Sequence, residues 1–375
     1  MAVSGHIAKR KQWIKQLLVY IKYLIHGELD HLLTVNRSRR PWHMPIIAAI
    51  AISFPVFVGA YFGALPAGIK ASLGAMIILN LPLAGSLPYR LVTVMAWGFA
   101  MTLCFALGLI AQQIPILRLP VFSLIAFGVV IFGRYYRQSP PAGLFVMMAG
   151  AIALFIPVTL DEVMSSTGLV MLGSGFAMFM ASLYTLFLLA TRPSKPTPTY
   201  QYQPDTLTES LIVAGFVSLA LFIAMMLEMP YPYWAAVSCF IIIQGIQMRT
   251  IWIKQLHRLL GTLVGMGLAG WMMSWNLSMW GVAVAILLLM LCIEALVDRH
   301  YGLAVIFVTP LTIFIAEYGS TVSLAQFGVQ EVIRVRMLDT TIGCMVGLSG
   351  GLVIHSAKLR APLQRFEEWL LIRLA

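Results

Sequence analysis

Apolar runs of roughly 20 residues, the length an α-helix needs to cross about 30 Å of hydrocarbon, recur along the whole chain. They are separated by short segments that hold most of the charge. The chain is 60% hydrophobic and only 10% charged, against roughly 25% charged residues in soluble domains. No water-soluble core hides that much apolar surface, so a bilayer is the solvent. Within it every backbone amide must be satisfied inside its own element, which leaves helices or a closed barrel. The runs are too long and unbroken for barrel strands. The expected fold is an all-α integral membrane protein of about twelve transmembrane helices in two parallel six-helix repeats.

Spans are expected near 44–63, 67–84, 91–112, 116–133, 141–158 and 168–190, and again near 209–228, 232–248, 257–275, 278–297, 302–317 and 337–356. Residues 1–43 read as a basic leader, whose segment 8–35 carries Trp13, Leu17, Ile21 and Leu24 against several lysines and suits an amphipathic helix on the membrane surface. Residues 44–190 form the first membrane half, 191–207 a Pro- and Ser-containing linker, 208–356 the second half and 357–375 a short basic tail. With the leader in the cytoplasm, all of the 25 lysines and arginines fall on the inner side except Lys70, Arg118, Arg334 and Arg336. That bias places both termini in the cytoplasm of a multi-pass inner-membrane protein. It also accounts for the net charge of +11 without a nucleic-acid partner. The four cysteines, Cys104, Cys239, Cys292 and Cys344, lie singly in apolar runs and read as small core residues.

The two halves share a layout. Pro88-Tyr89-Arg90 leads into Gly98 and Gly108, as Leu256-His257-Arg258 leads into Gly261, Gly265 and Gly267. Arg134 to Arg137 precede Gly143, as Asp298 and Arg299 precede Gly302. An even number of spans per half makes the copies run in the same direction, with a pathway between them.

Charge inside the apolar runs marks the candidate chemistry. Arg258 heads a small-residue helix, where it either snorkels to lipid phosphate or holds an anion. Arg336 and Asp339 lie three residues apart in the last span, on the side poor in positive charge. They either pair with one another or leave the arginine fork for a carboxylate. Glu294 and Asp298, four apart beside Arg299, are either an interfacial salt-bridged cap or proton-coupling groups; Asp339 joins them as a third proton-coupling candidate. Lys70, Glu228 and Glu317 are placed near the outer surface, with Lys70 retained as an outer anion contact. Tyr231, Tyr233 and Trp234 suit an interfacial aromatic belt or stacking on an aromatic substrate. No metal-ligand spacing, nucleophile motif or phosphate-binding glycine loop is present. Neither catalysis nor a cofactor or metal is therefore expected, and pumping would draw on an ion gradient.

Tyr233-Trp234-Ala235-Ala236-Val237-Ser238, then Arg258-Leu259-Leu260-Gly261-Thr262-Leu263-Val264-Gly265, then Arg336-Met337-Leu338-Asp339-Thr340-Thr341-Ile342-Gly343, together resemble the fusaric acid resistance and aromatic acid exporter family. Plant aluminium-activated malate transporters are similar at a greater distance. The resemblance implies export of fusaric acid, hydroxybenzoates or similar weak organic anions, with Arg336 at the family's last-span arginine. The linker at 191–207 is too short for the cytoplasmic domain that larger exporters carry, which leaves both the substrate class and pairing with a periplasmic adaptor open. Membrane lipids are expected partners, and a homodimer is an open alternative to a monomer. The rival reading is a non-transporting scaffold of an envelope complex whose arginines bind anionic headgroups.

Overall fold

The computed structural model describes residues 34–38, 40–138, 143–191, 196–197, 204–244, 248–319 and 329–374. The surface helix expected over 8–35 and most of the linker lie outside the described residues, as does the Glu317 side chain.

Among the described residues all regular structure is helical. The first set is α1 (Met44–Tyr61), α2 (Leu65–Ala75, extended by a 3-10 turn Met76–Asn80), α3 (Leu87–Gln112), α4 (Arg118–Tyr135), α5 (Leu144–Ala153) and α6 (Leu160–Thr191). The second is α7 (Thr206–Met226), α8 (Tyr233–Ile243), α9 (Met248–Met273), α10 (Met279–Leu296), α11 (Tyr301–Gly319) and α12 (Val329–His355), followed by α13 (Ala357–Leu374). Prolines open α1, α2 and α3 in the first turn, where a missing N–H costs nothing and φ is preset. Gly143 starts α5 at φ 80, and a side chain there would meet both Val129 and Trp97.

Among the described residues seven helices are long and apolar enough to cross a membrane, whereas the apolar stretches at 65–80, 144–153, 233–243 and 301–315 are shorter. This corrects the expectation of uniform spans. At 1.5 Å rise per residue, the 10 residues of α5 and 11 of α8 reach only about half of a 30 Å hydrocarbon layer. Irregular backbone at membrane depth is tolerated where it is enclosed by protein or lines a cavity. Every residue of α8 but Ile241 is buried, so its apolar sequence reflects protein on all sides instead of lipid. Three helices start well ahead of their expected spans: α6 at Leu160 against 168, α9 at Met248 against 257 and α12 at Val329 against 337. The tail is itself a helix.

In the first set α1 packs on α2, α2 on α6, α3 on α5 and α6, and α4 on α5; α7 with α8, α8 with α12, α9 with α11 and α12, and α10 with α11 repeat those pairings in the second. The sets meet along α1 with α10 and α4 with α7, and more centrally along α5 with α8 and α2 with α11. Small residues permit the closest approaches. A Cβ on Gly173 of α6 would strike the Ala71 carbonyl of α2, and one on Gly343 of α12 would strike the Ala235 carbonyl of α8. Gly261 and Gly265 of α9 sit on the backbone of α11 at Gly302 and Ile306.

Candidate functional site

Helices α2, α5, α8 and α11, with α9 and α10, line two cavities. One, of about 300 Å³, is lined by Arg40, Lys254, Arg258, Glu294, Asp298 and Tyr301 among others, and deeper in by Met148, Ile152, Trp234, Thr312 and Ile315. The other, of about 220 Å³, is lined by Lys70, Phe105, Phe155, Tyr231 and Tyr233 and by the same Ile152, Trp234, Thr312 and Ile315. Those four side chains form a common wall between two chambers. The first chamber carries charge on both signs; the second is aromatic with one lysine.

Arg336 stands behind this wall. It is buried, its Nη2 donates to Thr312 Oγ1 at 2.6 Å, and its guanidinium lies 3.5 Å from the Trp234 ring centre. The Thr312 hydroxyl proton goes to the Thr309 carbonyl at 2.8 Å, so its oxygen is free to accept from the arginine. Among the described residues the remaining Arg336 donors, Nε and Nη1, have no hydrogen-bond partner, and neither does either oxygen of the fully buried Asp339. Arg336 and Asp339, expected either to pair with one another or to leave the arginine fork for a carboxylate, share no hydrogen bond among the described residues, while their charges do interact. The arginine is committed to Thr312 and Trp234, and two of its donors stay available beside the wall.

The other candidates fall on the cavities. Arg258 donates through Nε and Nη2 to Ser238 Oγ at 3.2 and 3.1 Å and through Nη1 to the Tyr301 hydroxyl at 3.4 Å. This excludes the snorkelling role, because the group is buried in the first chamber's wall. Lys70 donates to Ser166 Oγ at 2.9 Å and lines the second chamber, deeper than the outer surface expected for it. Tyr233 and Trp234 are buried, which rules out a membrane belt for them.

Glu294 and Asp298 both line the first chamber, but their cation is not the adjacent Arg299. Arg40, from the segment ahead of α1, reaches Glu294 Oε2 through Nη1 and Asp298 Oδ2 through Nε, each at 3.1 Å. Ser38 donates to Asp298 at 3.4 Å, and the Asn36 amide to the Arg299 carbonyl at 2.8 Å. Asn36, Ser38 and Arg40 are thus tied to the end of α10 and the turn after it. Arg40 went unnoticed in the sequence because its bases served there only as an orientation signal, and 254 positions separate it from Glu294. Thr312, Ser238 and Lys254 were missed as well, since a hydroxyl or lysine in a helix carries no pattern of its own.

Arg40→Ala leaves the nearly buried Glu294 without its cation and should destabilise the protein. A double-mutant cycle of Arg40→Ala with Glu294→Gln, read from thermal unfolding in detergent, is expected to return a coupling of about 1–3 kcal/mol, as for other contacting charged pairs. Additive effects would mean that the ion pair contributes nothing.

Residues 219–350 match the model of the family described as fusaric acid resistance protein-like. The chain is also similar to the uncharacterized membrane protein YvaC of Bacillus subtilis (strain 168), 31% identical over 150 residues that make up 39% of this chain and 23% of that protein. The chain thus spans about a quarter of that relative's length. No solved structure matches it. The matched segment begins within α7, ends within α12, and contains Trp234, Arg258, Thr312, Arg336 and Asp339; the similarity to the fusaric acid resistance protein-like family therefore rests on the second set of helices, which supplies Trp234, Thr312 and Ile315 to the common wall.

Proposed function

We propose that the protein is a gradient-driven transporter that exports small organic anions, aromatic acids among them, across a bacterial inner membrane. The observation that carries this reading is the pair of chambers closed against each other by Trp234 and Thr312, with the Arg336 guanidinium held directly behind them. In this reading α1 to α12 form two parallel sets of six, with the short α5 and α8 enclosed by the helices that cross, and the recurring helix pairings support that duplication. The end that carries Arg40, Arg134, Arg258 and Arg360 faces the cytoplasm. Both termini lie on that side.

An anion entering the first chamber meets Arg258 and Lys254, then a wall of apolar and aromatic side chains suited to a ring. Movement of Trp234 off Arg336 opens the wall and presents two unused guanidinium donors, Nε and Nη1, whose fork fits a carboxylate. Lys70 receives the anion on the far side. Glu294, Asp298 and Asp339 are the groups able to take up a proton along this route, which would couple export to a proton gradient. A non-transporting scaffold has no use for chambers of this kind, and its lipid-binding arginines would lie on the surface instead of behind a wall.

The test is flux of p-hydroxybenzoate and fusarate in proteoliposomes, with and without a pH gradient. Transport of either acid that rises with the gradient is expected. Absence of flux for both acids, and for malate, by protein that remains monodisperse after extraction from the vesicles would overturn the reading.

A further inference from the structure

Helix α13 leaves the bundle at the end where α12 finishes, with Ser356 alone between the two helices. One side of it is tied to the protein. Glu367, buried, accepts from the Leu207 and Thr208 amides at 3.2 and 2.9 Å, filling the orphan donors at the start of α7 with a carboxylate that suits the helix dipole. Gln364 donates to Asp205 at 2.8 Å, and Arg360 pairs with Glu209 at 3.5 Å. Residues 360, 364 and 367 are one turn apart and define this docked side.

The opposite side is exposed and apolar. Leu359, Pro362, Phe366 and Trp369 are exposed at three- and four-residue spacing, with the Phe366 and Trp369 rings stacked at 6.0 Å. Arg373 lies 4.2 Å over the Trp369 ring, and Lys358 and Arg365 flank the stripe, both exposed. We propose that this face of α13 is a docking surface for the bilayer itself, with Phe366 and Trp369 set among the acyl chains and Lys358, Arg365 and Arg373 on anionic phospholipid headgroups.

Two observations select lipid as the occupant. The stripe follows directly on a helix long and apolar enough to cross a membrane: α12 exposes Met345 and Leu352, and α13 begins after Ser356. The charges are all of one sign beside the stripe, which complements an anionic leaflet. A symmetric contact between two copies would instead bring Lys358, Arg365 and Arg373 against their own equivalents. An apolar stripe with aromatic and basic flanks is the composition of helices that lie in the headgroup plane. Glu367 and Gln364 fix the height and rotation at which α13 lies, so the membrane contact is built into the joint between α7 and α12. The inference depends only on the membrane character of the chain and goes beyond its proposed transport activity.

The test places a nitroxide at Phe366→Cys or Glu368→Cys in the full-length protein, in a background with Cys292→Ser, and compares collisions with oxygen and with a nickel chelate in nanodiscs. Glu368 lies about 200° around the helix from Phe366 at 3.6 residues per turn and serves as the water-facing control. Phe366→Cys is expected to favour oxygen and exclude nickel in phosphatidylglycerol discs, with Glu368→Cys the reverse. The contrast should weaken in pure phosphatidylcholine. Nickel access at 366 equal to that at 368 would overturn the proposal, as would dipolar broadening at 366 between two copies. A contrast unchanged in phosphatidylcholine would overturn its anionic part.

Discussion

Arg336→Ala is expected to lower organic-anion flux in proteoliposomes about 10- to 100-fold, because hydrogen bonds to a charged group contribute about 1.5–3 kcal/mol and each 1.4 kcal/mol is about tenfold in affinity. Two donors of the guanidinium have no hydrogen-bond partner among the described residues, and a carboxylate at the wall would use both. Arg336→Lys keeps the charge but has a single point of attachment in place of a fork, so an intermediate rate is expected. Thr312→Val, which removes the acceptor held at 2.6 Å, leaves the guanidinium in place only through Trp234 and should alter the apparent KM more than the limiting rate. Each variant is compared at equal reconstituted amount after size-exclusion chromatography. Wild-type flux from Arg336→Ala would remove the arginine from the mechanism.

The sequence made the membrane class and the positions of the helices readable because apolar length is a direct property of the chain. Every expected span contains a helix. What it concealed was which apolar runs face lipid. The windows at 141–158 and 232–248 look like ordinary spans, yet α5 and α8 are short and enclosed; hydropathy responds to an apolar surrounding without distinguishing protein from acyl chains. The candidate residues divide on similar lines. Arg258, Arg336, Asp339, Glu294, Asp298 and Lys70 were legible since a charge within an apolar run requires a reason. Their partners were not, because Thr312, Ser238, Ser166 and Arg40 come from other helices or from the leader. Distance along the chain carries no mark of a contact. Arg336 illustrates this: its place three residues from Asp339 is legible in one helix, while its contacts with Trp234 of α8 and Thr312 of α11 are not.

Gly343→Val is expected to abolish folded protein, and Gly173→Val to do the same in the other half. Overpacking a core usually costs about 1–3 kcal/mol because side chains can shift. Here the atoms in the way are the main-chain carbonyls of Ala235 and Ala71, which cannot yield unless a whole helix moves. Gly343 also has the Ser238 Cβ within 2.7 Å of the added carbon, and Ser238 is the residue that receives Arg258. Pushing α12 away from α8 would therefore separate Arg336 from Trp234 and Ser238 from its surroundings together, so any surviving fraction should be inactive. Gly175→Ala and Gly267→Ala are the controls. Nothing lies within 4 Å of a Cβ at either position, and replacing a helical glycine by alanine there should stabilise by about 0.5–1 kcal/mol. Extraction yield and thermal midpoint in detergent provide the measurement. A monodisperse Gly343→Val protein with the wild-type midpoint would mean that α8 and α12 are not packed backbone to backbone, and the placement of Arg336 behind the wall would go with them.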